Sequence, residues 1–188
     1  MSPFEKAICL YVKQTIMIVQ TNQFVGASPE SLYNAYLNSV EHGRMTTSGE
    51  GEELTTWYRP GVGNVANGEV GDELRCWGFI DKDGNRVYNL NATNLSLVPG
   101  KLIVQRWKNL PFNSATHPEQ ITDMESTLVL TFKKTAFGAE IYMVHINVPD
   151  YEVFIEQTGE RAPLYTIVNT HWGLQYWEPM KKYFGCNK

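Results

Sequence analysis

Leu164-Tyr-Thr-Ile-Val-Asn-Thr-His-Trp-Gly-Leu-Gln-Tyr-Trp-Glu-Pro-Met-Lys-Lys-Tyr-Phe184 is the stretch that decides the fold. Taken at a step of four, it places Leu164, Val168, Trp172, Tyr176, Met180 and Phe184 along one helical face, and Tyr165, Ile167 and Trp177 widen that stripe. A helix with so much aromatic surface needs a broad, concave partner. The chain before it reads chiefly as β-strand. The pattern therefore predicts one long aromatic helix closing a curved antiparallel sheet, an arrangement that commonly encloses a cavity. Pro179 removes one helix hydrogen bond, so a kink is expected over 175–179.

Working outward, Thr15 to Val25 is rich in Ile, Val, Thr and Phe and suits a first strand. Ser28-Pro29-Glu30 supplies the cap type, first-turn proline and early acid that open a helix. Leu32, Tyr33, Tyr36, Leu37 and Val40 would form its buried face, with Gly43 ending it. From Leu54 to Val148 the pattern is strand, turn, strand. Pro60 to Asn64 reads as a turn-rich loop, Glu73 to Ile80 as a strand, and Asp83-Gly84-Asn85 as a hairpin turn. Thr93–Val98 and Lys101–Trp107 flank Pro99-Gly100. Ser126–Lys133 and Glu140–Val148 flank Phe137-Gly138. A polar loop is expected over Asn109 to Asp123 and a polar connection over Val153 to Ala162. A strand, a helix, a meander of five or six strands and one long helix make an α+β domain. We divide the chain into an N-terminal extension, 1–14, and a single domain, 15–188.

Composition sets the boundaries. At 188 residues, with 43% hydrophobic and 19% charged residues, the chain can bury a proper core. Sixteen basic against twenty acidic residues, with no basic stripe, argue against a nucleic-acid partner. No apolar run approaches a membrane span. The three cysteines, Cys9, Cys76 and Cys186, lack metal-type spacing and form no even-numbered disulfide set. A cytoplasmic, unprocessed protein with no membrane partner is the expectation.

Few residues suggest chemistry. Gly61-Val62-Gly63-Asn64-Val65-Ala66-Asn67-Gly68 superficially resembles a phosphate loop, but a strand rather than a helix is expected after it, and it has no Gly-Lys-Ser/Thr. His42, His117, His145 and His171 pair with no other ligand at metal spacing, so no metal or cofactor is expected. Cys76 suits a small core residue. Strand alternation puts Ile141, Met143, His145 and Asn147 on one face. If that face meets the terminal helix, His145 is either a hydrogen-bonded core histidine or a polar ligand contact, with an acid–base role a third option. Trp77, Trp107 and Trp172, with Tyr176, suit plain core or cavity lining equally. Glu50, Glu52, Glu53, Glu156, Glu160 and Arg161 read as solvated surface.

Three segments carry a resemblance: Gly71-Asp-Glu-Leu-Arg-Cys-Trp-Gly-Phe-Ile80, Asn94-Leu-Ser-Leu-Val-Pro-Gly-Lys-Leu-Ile-Val-Gln-Arg-Trp107 and Trp172-Gly-Leu-Gln-Tyr-Trp-Glu-Pro-Met-Lys-Lys-Tyr-Phe184. They resemble the C-terminal-type domain of the family named for the activator of the 90-kDa heat-shock protein ATPase, over about Thr15 to Phe184. The resemblance implies the helix-grip fold of the START-like (SRPBCC) superfamily, with a cavity between sheet and long helix. It implies a non-enzymatic co-chaperone that binds the 90-kDa chaperone and modulates its ATPase. The alternative within that superfamily is a carrier for a small hydrophobic ligand, held by Trp77, Trp107, Met143, His145, Trp172 and Tyr176. Three departures stand out: no separate N-terminal activator domain, an insertion at Asp81–Thr93, and His171 where a glycine is common. The first leads us to expect chaperone binding without strong stimulation.

Overall fold

The computed structural model describes residues 15–46, 56–76, 79–80, 83–84, 86–87, 90–108, 125–150, 152–155 and 159–186. The expected extension at 1–14, the polar loop at 109–123 and Trp77 lie outside them.

The first strand, β1, is Thr15–Val25. Helix α1, Pro29–Leu37, opens as its sequence requires: Ser28 Oγ accepts from the Ser31 N–H at 3.0 Å, and Ser31 Oγ accepts from the Ser28 N–H at 3.0 Å. It does not run on to Gly43. Asn38 adopts an extended conformation (φ −88°, ψ 126°), and its Oδ1 accepts from the Val40 and Glu41 N–H groups at 3.1 and 3.0 Å. Asn38 thus ends α1 and caps a second helix, α2, Ser39–Thr46. The break turns Val40 out to 51% exposure and carries His42 and Gly43 into the interior, correcting the single-helix expectation.

Among the described residues eleven further strands follow before the terminal helix: β2 Thr56–Arg59, β3 Gly63–Val65, β4 Glu73–Cys76, β5 Phe79–Ile80, β6 Arg86–Val87, β7 Leu90–Val98, β8 Leu102–Lys108, β9 Glu125–Thr135, β10 Gly138–Pro149 and the β11 Glu152–Ile155/β12 Glu160–Pro163 hairpin. That tally excludes β1, and it puts β11 and β12 where a polar connection is expected; the two strands pair only with each other. Eight strands make one antiparallel sheet in the order β1-β10-β9-β8-β7-β4-β2-β3, so that seven follow β1 where a meander of five or six is expected. The Pro99-Gly100 turn is a type II turn. The Lys101 N–H reaches Val98 O at 2.9 Å, and Gly100 takes φ 65°, which a side chain disfavours. The Gly61–Gly68 segment is a hairpin and a packing surface rather than a phosphate loop. Gly68 lies flat on Trp57, where a Cβ would come within 2.4 Å of the indole.

Two bulges reset the alternation. Ile16 pairs with Val148 and Ile18 with His145, leaving Ile146-Asn147 opposite Met17. Asn147 takes the left-handed conformation (φ 63°) and faces solvent, so Val148 turns inward instead. The expected face Ile141-Met143-His145-Asn147 therefore holds for its first three members only. A second bulge at Leu95 separates the pairs Asn94–Gln105 and Ser96–Val104.

The terminal helix has three parts: α3 Leu164–His171, a π-helical turn Trp172–Trp177, and α4 Glu178–Tyr183. In an α-helix a step of four overshoots a full turn by about 40°. A stripe at that step soon leaves its face. The wider turn, with the Glu178 N–H bonded to Gly173 O, takes that drift back. Leu164, Val168, Trp172, Tyr176 and Met180 all stay buried, Trp177 joins them, and Phe184 packs at the margin. Over 175–179, where a kink is expected from Pro179, the structure has the end of this wider turn, which closes two residues before a residue that cannot donate a hydrogen bond. The helix, with α1 and α2, covers one face of the sheet. That face presents Leu74, Ile103, Trp107, Leu128, Leu130, Ile141 and Met143, all buried.

Candidate functional site

Strand alternation sends Gln105 and Trp107 of β8, Ser126 of β9, and Met143 and His145 of β10 inward beneath the π-helical turn. His145 is enclosed between two indoles. Its ring centre lies 5.0 Å from that of Trp107 and 6.0 Å from that of Trp172, both edge-on. The Trp172 Nε1–H donates to His145 Nδ1 at 3.3 Å, so that nitrogen carries the lone pair. The Nε2–H then donates to Ser126 Oγ at 2.8 Å. Burial pushes the His145 pKa down to about 3. The ring is neutral at neutral pH, and both of its nitrogens are engaged in hydrogen bonds.

A second histidine lies further along the same block. The His42 Nδ1–H donates to Tyr36 O at 2.6 Å, and Nε2 accepts from the Tyr176 hydroxyl at 3.1 Å. Burial lowers its pKa to about 4, opposed by the Tyr36 carbonyl. Tyr36 donates to Gln105 Oε1 at 2.9 Å, which also accepts from the Trp107 Nε1–H at 3.1 Å. Gln105 Nε2 passes the chain on to Asn94 Oδ1 at 2.9 Å, and Asn94 Nδ2 donates to Glu69 O at 3.1 Å. Stacked rings bind the block together. Trp172 lies 5.2 Å from Trp107, 4.6 Å from Tyr176 and 5.3 Å from Trp177, and Tyr176 stacks on Tyr36 at 6.2 Å. On β1, Gln20 accepts from the Trp177 Nε1–H and donates to Asn169 Oδ1 at 2.7 Å, anchoring the helix to the sheet edge.

Of the residues singled out from sequence, Trp107, His145, Trp172 and Tyr176 come together in this block. Met143 is fully buried on the same strand face. Sequence reading missed His42, Tyr36, Gln105 and Ser126 as members. Gln105 did leave a signal, a polar residue between inward Ile103 and Trp107. His42 left none, because its burial depends on the break at Asn38. Among the described residues no three His, Cys, Asp or Glu side chains converge as a metal would require, and no helix is long and apolar enough to cross a membrane.

No protein-family model and no curated protein matches the chain. Solved structures do. A protein from Mesorhizobium loti aligns over 92% of this chain and 99% of its own, at 15% identity and a TM-score of 0.55. An activator of the 90-kDa heat-shock protein from Plasmodium falciparum aligns over 91% of this chain and 96% of its own, at 14% identity and a TM-score of 0.55. The fold is the α+β helix-grip. A protein of unknown function from Staphylococcus aureus aligns over 93% of this chain and 96% of its own, at 11% identity and a TM-score of 0.56. At these identities it is the helix-grip fold that is shared, and a fold hosts many functions.

Proposed function

We propose that this helix-grip protein is a cytoplasmic docking protein of the co-chaperone type, which binds the 90-kDa heat-shock chaperone and modulates its ATPase. One observation carries the reading. The space between sheet and terminal helix is taken up by an aromatic block whose polar atoms pair with one another, which favours a role for the surface over one for the interior. The choice of partner is supported by the likeness to the Plasmodium activator. A rigid domain with higher affinity for one chaperone conformation shifts the population toward it, with no catalytic residue of its own. Purified protein added to purified chaperone should bind at micromolar concentration and change its ATPase rate. Absence of binding removes the proposal.

A second reading, a carrier for a small hydrophobic ligand, draws on the π-helical turn over the block, a helix form frequent at functional sites. Displacement of that turn would expose Trp107, Met143, His145, Trp172 and Tyr176 as a pocket wall, with Trp77 a further expected member. Native mass spectrometry of freshly purified protein distinguishes the two, since a retained ligand adds mass.

A further inference from the structure

The opposite face of the sheet has the composition of an interface. In antiparallel register, Val104 of β8 pairs with Val129 of β9, Val129 with Val144 of β10, and Val144 with Val19 of β1. These four valines form a row pointing away from the core, on positions that an antiparallel sheet with one solvated face normally gives to polar residues. Tyr142 and Ile146 flank it at 41% and 36% exposure, and Val19 is 44% exposed. A contiguous apolar strip of this kind marks a contact surface.

The adjoining row is Thr93, Arg106 and Thr127. Arg106 Nε is enclosed and has no hydrogen-bond partner. The same is true of Asn91 Oδ1, two residues from Thr93 on β7. Buried polar atoms are nearly always paired, so two orphans side by side on one face call for an explanation. The neighbouring cations are already engaged: Arg75 bonds Glu73 at 2.8 Å, and Lys108 lies 3.9 Å from Glu125. Arg106 forms no ion pair with an acid among the described residues.

The geometry points to the outer face of β1, β10, β9 and β8 as the docking surface for a protein partner that presents aliphatic side chains beside a carboxylate. The carboxylate meets the Arg106 guanidinium, and the valine row takes the aliphatic groups. Arg beside an apolar patch is the composition of an interface hot spot. A nucleic acid needs a stripe of available cations, whereas Arg75 and Lys108 on this face lie against Glu73 and Glu125, and a lipid surface would find neither a lysine cluster nor a protruding anchor among the described residues here. This inference rests on the docking reading above and names the surface it would use.

The test titrates a short acetylated peptide alternating valine and glutamate into the isotope-labelled full chain, followed by NMR. Amides of β1, β8, β9 and β10 should shift together with the Arg106 Nε–H resonance, and Arg106→Gln should weaken binding about tenfold. No shifts at millimolar peptide, or shifts centred elsewhere, overturn the proposal. With purified chaperone, Val129→Lys should cost tenfold or more in affinity while thermal unfolding stays at the wild-type temperature. Unchanged chaperone affinity in a folded variant removes this face from that complex. If the peptide lands here but wild-type protein fails to bind chaperone, the chaperone reading falls and the surface stands.

Discussion

The two faces of the sheet treat polar atoms in opposite ways. On the inner face His42, His145, Gln105, Asn94 and Ser126 are buried, and each is matched to a partner, largely from a different element. Trp57 Nε1 is the inner exception. On the outer face Arg106 and Asn91 carry enclosed atoms with no partner, next to a row of valines. Unpaired buried groups cost stability, while paired ones fix a unique packing. The inner polar set therefore reads as structural, and the outer one as a surface waiting for complementary groups.

The largest effect that would test this contrast is acid unfolding. Both buried histidines stay neutral in the folded chain to about pH 4 and 3, whereas unfolded histidine takes up a proton below about 6.5. The unfolded state then binds more protons, so their contribution is fully present above pH 6.5 and is lost as pH falls below it. By about pH 4.5 the two together should remove about 5 kcal/mol of stability relative to pH 7. His171, also lowered by burial, acts in the same direction, and Asp72, held down by Arg59, adds its loss only at lower pH. Urea unfolding across this range measures the slope. A flat profile would mean that the inner histidines are not enclosed as described.

A smaller effect tests the pairing itself. Ser126→Ala leaves the His145 Nε2–H buried without an acceptor, at a cost of about 2 kcal/mol. The ring cannot escape by changing tautomer, because a proton on Nδ1 would face the Trp172 N–H. Denaturant midpoints should show the loss with an unchanged m-value. A change under about 0.5 kcal/mol would break the claim that the inner network is matched donor to acceptor.

Much of this architecture was legible in the sequence. The step of four from Leu164 to Phe184, the Pro99-Gly100 turn and the Phe137-Gly138 turn are local signals, and each marks the element expected from it. What escaped depends on single residues in special conformations. Asn38 ends one helix and caps the next, and Asn147 in the left-handed region turns a strand over. Neither leaves a periodic trace. The candidate block was half legible for the same reason. His145, Trp107, Trp172 and Tyr176 follow from strand and helix periodicity, but His42 reaches them only through the Asn38 break. The outer valine row required register, which hairpin turns set for β7–β8 and β9–β10 but which no local signal sets between β1 and β10.

The smallest predicted effect sharpens the comparison most. Arg106→Leu should change unfolding stability at neutral pH by no more than about 0.5 kcal/mol, because the guanidinium forms no hydrogen bond or ion pair among the described residues. The leucine keeps the aliphatic packing of the arginine stem and removes an enclosed N–H that has nothing to donate to. A slight gain in stability would fit the same account, since an unsatisfied donor is lost. A loss above about 1.5 kcal/mol would show that Arg106 holds the sheet together, making the outer face structural like the inner one. Stability near wild type, combined with weakened peptide binding in Arg106→Gln, is the pattern that only an interface residue gives.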